Sequence, residues 1–203
     1  MRARQWAAVG LAGVAGFAAV FLCIALMTTG RPTGPTAGIP AIGGPFELVD
    51  DNDKPVSDKQ FAGKPFAMYF GYTFCPEVCP TTLLDLSRWI KDLGSDADKL
   101  NYAFVSIDPE RDTPKLLHAY LSSFDPHIRG FTGTSEQIVK IAREYRVYYK
   151  KIPTGNGSYV MDHSSIMYLM GADGKMVSAI AYQEDDASAL KKLRSLIATS
   201  PSS

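Results

Sequence analysis

The chain has 203 residues, 46% of them apolar, with 21 basic and 21 acidic residues and a formal net charge of zero. That length and apolar fraction suffice for one domain with its own core. Without Arg2 and Arg4 the remainder carries 19 basic against 21 acidic residues, so there is no electrostatic case for nucleic-acid binding, which calls for a clustered basic face.

Trp6 to Met27 form 22 positions without a charge. At about 1.5 Å rise per residue such a helix spans about 33 Å, the thickness of a bilayer's hydrocarbon core. Arg2 and Arg4 precede it and no cation follows before Arg31. Positive-inside bias then puts residues 1–5 in the cytoplasm, a transmembrane anchor over 6–28 in the cytoplasmic membrane, and the rest on the periplasmic face. The apolar run exceeds a usual signal-peptide core, and no clean Ala-x-Ala site follows it, so the anchor is expected to stay uncleaved. Cys23 reads as a small apolar residue of that span. Residues 29–45 hold Pro32, Pro35, Pro40 and Pro45 among Gly34, Gly38, Gly43 and Gly44, the composition of a linker. Residues 46–203 then form the soluble domain.

Phe46 to Val49 and Pro55-Val56 flank a polar turn and read as a hairpin. Pro65 to Phe70 is an apolar run of buried-strand length. Gly71-Tyr72-Thr73-Phe74-Cys75-Pro76-Glu77-Val78-Cys79-Pro80 follows, and then a helix over Thr81 to Leu93, with Leu83, Leu86, Trp89, Ile90 and Leu93 at helical spacing. Pro80 suits a first helical turn and Gly94 a C-cap. Leu100 to Ile107 reads as a second buried strand. Thr113-Pro114 opens a helix as N-cap and first residue, with Leu117, Tyr120, Leu121 and Phe124 on one face. Ile128 to Thr132 is a short strand. Thr134 and Gln137 form a capping box before a helix through Arg146. Val147–Ile152 and Ser158–Met161 pair around a Pro/Gly turn, Ser165–Met170 and Lys175–Ala181 are two more strands, and Asp185–Thr199 is a closing helix. The order is that of an α/β domain with a mixed central sheet.

Cys75 and Cys79 fall where the first long strand hands over to a helix, the thioredoxin-like arrangement, although three residues rather than two separate them. The positive end of a helix dipole lowers a thiol's pKa, and the thiolate is the form that attacks disulfides and binds metals. Outside the cytoplasm the pair can persist as a disulfide. Closing so short a loop removes little chain entropy, so the pair is a poor structural staple. Of the three histidines, His118 lies mid-helix and His127 in a loop, and exposure explains both. His163 ends one strand and precedes another, in Met161-Asp162-His163-Ser164-Ser165. From spacing alone it is either a third ligand or a satisfied structural group. The three-residue spacing also gives both sulfurs room to face a single soft ion.

Gly63-Lys64-Pro65, Tyr69 through Thr82, Ser106-Ile107-Asp108-Pro109-Glu110-Arg111-Asp112-Thr113-Pro114 and Asp162-His163-Ser164 together resemble the Sco (SenC-like) family over about residues 46–198. Departures are confined to turns: Asp53 replaces a common glycine, and Gly171-Ala172-Asp173-Gly174 replaces a Pro-x-Gly turn. The resemblance implies a thioredoxin-like, membrane-anchored copper protein of cytochrome c oxidase assembly. It assigns one copper per chain to Cys75, Cys79 and His163. The copper-bearing oxidase subunit is the implied client, with periplasmic copper donors or thiol reductases as further partners. Around these ligands Asp162, Asp108 and Arg111 are candidate supporting residues, the last two as an ion pair or as a plain turn and helix entry. Glu77 either adds charge near the thiolates or is solvated. A thiol–disulfide oxidoreductase using Cys75 and Cys79 is the alternative, in which His163 is dispensable. A peroxide-reducing enzyme fits poorly, because the residues before Cys75 lack the expected Pro-x-x-x-Thr-x-x-Cys setting.

Overall fold

Strand β3 (Phe66–Gly71) has all six residues buried, which explains an apolar run with no polar alternation. It is described here in a computed structural model covering residues 42–155 and 157–199. The expected transmembrane anchor over 6–28 and most of the linker lie outside the described residues. Among the described residues no helix is long and apolar enough to cross a membrane.

The expected hairpin forms as β1 (Glu47–Asp50) and β2 (Pro55–Ser57), and Asp50 Oδ1 closes its turn by accepting the N–H groups of Asn52 and Lys54. Asp53 stands at φ 61°, the left-handed region where glycine is easiest and aspartate is tolerated better than most residues. Parallel to β3 runs β4 (Asn101–Ser106), with Gly71 level with Ser106, and then β5 (Ile128–Thr132). On the other flank β8 (Ile166–Met170) and β9 (Met176–Ala181) are antiparallel. The sheet order is β2-β1-β5-β4-β3-β8-β9, seven strands of mixed direction. Strands β6 (Tyr149–Gly155) and β7 (Ser158–His163) pair only with each other, as a separate two-stranded sheet.

Helix α1 (Val78–Leu93) starts three residues before the expected Thr81. The first helical N–H groups have no intrahelical partner, so Pro80 is accommodated at the third position and does not mark the first. Gly94 caps its other end at φ 57°. Helix α2 (Pro114–Leu121) has Thr113 as N-cap, its hydroxyl accepting the Leu116 N–H, and it packs Leu117 and Leu121 onto Gly130 of β5. Tyr120 and Phe124 are only partly buried. Helix α3 (Ser135–Glu144) has the expected Thr134–Gln137 capping box but stops before Arg146. Arg146 takes φ 53°, its N–H goes to the Arg143 carbonyl, and the Val147 N–H reaches back to Ala142. This Schellman ending uses an arginine where glycine is usual. Helix α4 (Asp186–Ala198) packs against α1, and Trp89 Nε1 donates to Asp186 across that contact at 2.7 Å. The core is continuous, joining Phe46, Phe61 and Phe131 to Leu83, Phe104 and Leu169.

Candidate metal centre

The level ends of β3 and β4 set the position of the cysteine loop, since the Ile107 N–H bonds the Gly71 carbonyl at 2.8 Å. Along β3 the side chains alternate, so Tyr69 and Gly71 share a face. Cys79 comes down onto that face from the first turn of α1. A Cβ on Gly71 would lie 2.8 Å from Cys79 Sγ and 2.8 Å from the Phe104 ring, so only glycine admits the sulfur here. The Tyr69 hydroxyl donates to Cys79 Sγ at 3.8 Å. Burial raises the Tyr69 phenol further above its usual value, which keeps that donor protonated.

Two of the expected ligands come from this loop and helix, and the third from the end of β7. Cys79 is fully buried, Cys75 is 9% exposed, and both are free thiols. Cys79 Sγ lies 3.6 Å from His163 Nε2, and donor atoms of Cys75, Cys79 and His163 all fall within 4.8 Å of one another. His163 Nδ1 is 2.9 Å from the Ser164 carbonyl oxygen. A carbonyl only accepts, so Nδ1 carries the proton and Nε2 turns its lone pair toward the sulfurs. The Tyr69 and Tyr72 rings meet the imidazole edge-on at 6.3 and 5.9 Å and fix its plane. The three residues therefore fit a single soft ion, with the ligating tautomer set in advance.

The two sulfurs are unlike. Hydrogen bonding from Cys79 and from the backbone N–H groups of Cys79 and Glu77 draws the Cys75 thiol below its usual value, against the opposing pull of burial. The hydrogen bond to Cys75 and burial push Cys79 upward. The helix start was expected to act on the thiol beside it, Cys79. Instead its free N–H groups point back at Cys75, where the Cys79 N–H lies 3.3 Å from the sulfur. Glu77 is the exposed N-cap residue, without a side-chain capping bond.

Asp162 could support the site or, as a strand neighbour of His163, point away from it, and it points away. Neighbouring strand residues face opposite ways, so with His163 turned to the cysteines Asp162 is exposed and accepts from the Tyr148 hydroxyl at 3.2 Å. Asp108 and Arg111 do form the expected ion pair, with Asp108 only 2% exposed. His118 lies exposed, 3.4 Å from Asp51, and His127 rests between Asp125 and Asp98, at 2.7 and 3.2 Å; neither joins the cluster.

Sequence reasoning missed Asp112. Fully buried, it accepts the Thr73 N–H at 3.0 Å, the Thr73 hydroxyl at 2.6 Å and the Ser106 hydroxyl at 2.6 Å, tying the cysteine loop to the end of β4. Its place just before a Thr-Pro helix start disguised it as a helix-entry acid. The only signal available was its recurrence in one motif with Ser106 and Asp108.

A model of the family described as SCO1/SenC matches residues 35–198. The chain belongs to the SCO1/SenC family. Among relatives, the mitochondrial protein SCO2 of Saccharomyces cerevisiae is 40% identical over 163 residues, 79% of this chain and 54% of the relative, so the chain spans about half the length of that curated protein. The solved structure of Bradyrhizobium japonicum ScoI with copper bound is 49% identical, covers 77% of this chain and 99% of its own, and matches with a TM-score of 0.73. Yeast Sco1 with copper bound is 35% identical, with 79% and 90% covered and a TM-score of 0.73. The Sco fold, a thioredoxin-like α/β domain with a mixed sheet, is thus the fold of this chain.

Proposed function

We propose that this Sco protein binds one copper ion through Cys75, Cys79 and His163 and serves the maturation of the dinuclear copper site of a cytochrome c oxidase subunit. The observation that carries the reading is the convergence of two thiols and one tautomer-fixed imidazole within 4.8 Å. Copper supplies the soft acceptor that such a donor set prefers, and copper-bound relatives support the choice of ion. The chain's own contribution is to hold Cys75 as the anion, bury Cys79 and present Nε2. In this reading residues 6–28 anchor the chain in the cytoplasmic membrane and residues 29–45 tether the domain on the periplasmic side, near a membrane-bound client. Copper donors or thiol reductases of the same compartment are its other partners.

The test is an anaerobic titration of the reduced chain with Cu(I) and with Cu(II), for wild type, Cys75→Ser and His163→Ala. One copper per chain is expected in the wild type. Cys75→Ser should lose both ions. His163→Ala should weaken Cu(II) far more than Cu(I), because two thiolates alone hold Cu(I). Equal retention of both oxidation states in His163→Ala would falsify the ligand assignment.

A second reading, thiol–disulfide exchange with client cysteines, is favoured by the split between an anionic Cys75 near the surface and a buried, protonated Cys79. It expects rapid reduction of a dicysteine peptide that His163→Ala leaves intact.

A further inference from the structure

The residue that completes the metal centre rides on the part of the fold with the least support of its own. His163 closes β7, and the β6–β7 hairpin makes no ladder with the seven-stranded sheet. Most of its described residues are exposed, and among them Met161 is the one buried side chain. A lone two-stranded hairpin is marginal in water, so its position depends on what it docks against.

That docking converges on Tyr159, four residues before His163. Its hydroxyl donates to Asp108 Oδ1 at 2.8 Å, and its carbonyl accepts from Arg111 Nη1 at 3.1 Å. The Arg111 guanidinium carbon lies 3.7 Å from the centre of the Tyr159 ring. The same guanidinium is 4.6 Å from the ring of Phe74, the residue before Cys75. Arg111 Nε bonds Asp108, while Nη2 is buried without a hydrogen bond among the described residues, its charge met by aromatic faces. Beside it Lys151 of β6 pairs with Glu110 at 2.7 Å and lies 4.0 Å from the Tyr159 ring. One arginine thus joins the loop bearing Cys75 to the hairpin bearing His163.

We propose that Asp108, Arg111 and Tyr159 form a positioning clamp that sets the reach of His163 toward the two sulfurs. The clamp converts a two-thiolate site into a three-ligand one, and loosening it withdraws the imidazole while leaving the cysteines in place. This rests on the copper reading of the site. The three residues touch no ion; they act through His163.

The experiment uses the full chain as Tyr159→Leu, which removes ring and hydroxyl together, and as Arg111→Lys, which keeps the charge but loses the flat stacking fork. Copper alone is the probe, in both oxidation states. Without copper, hydrogen exchange of residues 149–163 is read against that of α1. Both variants should speed exchange in the hairpin and leave α1 unchanged. Cu(II) binding should weaken by about 10- to 100-fold and Cu(I) binding by less than about threefold, the range seen when support behind a ligand is lost. In a His163→Ala background Tyr159→Leu should cost Cu(II) nothing further, since both changes remove one interaction. Equal losses of Cu(I) and Cu(II), additive losses in the double variant, or unchanged hairpin exchange would each overturn the clamp while leaving the ligand set standing. Unaltered Cu(II) binding in His163→Ala alone would overturn the ligand set, and the clamp with it.

Discussion

Asp112 shows how much of the site depends on a residue that never approaches the donors. It is the acceptor for three donors, two on half-buried Thr73 and one on buried Ser106. Leaving such donors unsatisfied costs about 1–3 kcal/mol each, so Asp112→Ala should lose on the order of 3 kcal/mol or more of unfolding free energy. Burial raises the Asp112 carboxyl above its usual value despite those bonds. A raised carboxyl contributes stability that is fully present below the unfolded value of 3.8 and lost as pH rises through the folded one. Its charge at neutral pH therefore opposes the fold, and Asp112→Asn, which keeps the shape and one acceptor, should cost less than half as much as alanine. Urea unfolding of the three proteins at neutral pH measures this; alanine and asparagine variants of equal stability would show that the acceptor role is not what holds the loop. Gly71 is the complementary case, a position where the absence of a side chain is what admits Cys79.

Elements were legible where their ends carry local chemistry. Thr113, the Thr134–Gln137 box and Gly94 all cap as their types predict, and Asp185, read as the first residue of the closing helix, is its N-cap. The α1 start and α3 end were misread, because Pro80 and Arg146 occupy positions set by the neighbouring turn and not by their own preference. The start of α4 gives a pH test. Glu184 accepts from Ala181 N–H, Ser188 hydroxyl and Lys192 Nζ, joining β9 to the helix. Burial pulls its carboxyl upward, yet the bonds from Lys192, Ser188 and Ala181 win and hold it at about 2, below its usual 4.5. A depressed carboxyl contributes stability present above the unfolded value and lost as pH falls through the folded one, here from about 4.5 toward about 2. Glu184→Gln should flatten that part of the acid limb while remaining less stable at neutral pH. Unfolding midpoints on either side of the window decide it; parallel acid limbs would remove Glu184 from the account.

At the scale of the whole chain, the described core runs unbroken from Phe46 to Leu196 and includes both cysteines of the candidate metal centre, while all three of its donors lie within residues 75–163. A chain beginning at Arg31 should therefore fold, unfold cooperatively and bind copper as the full chain does. Circular dichroism and copper stoichiometry of the shortened protein test this. Loss of folding on removing residues 1–30 would mean that the expected anchor supports the domain and does more than tether it.

Sequence alone determined what periodicity, caps and donor chemistry can encode: the α/β order, the buried strand feeding Cys75 and Cys79, and a soft donor pair able to take a third ligand. Those signals are local, carried by residues a few positions apart. Tertiary structure decided that His163, already singled out by its place between two strands, comes within reach of both sulfurs, that Asp162 faces away, and that Cys75 is the thiol drawn downward. It also decided that Asp112, Arg111 and Tyr159 hold the loop and the hairpin together. The histidine and the clamp depend on contacts across many residues, 84 between Cys79 and His163 and 48 between Arg111 and Tyr159, and no local pattern records which side chains folding brings face to face.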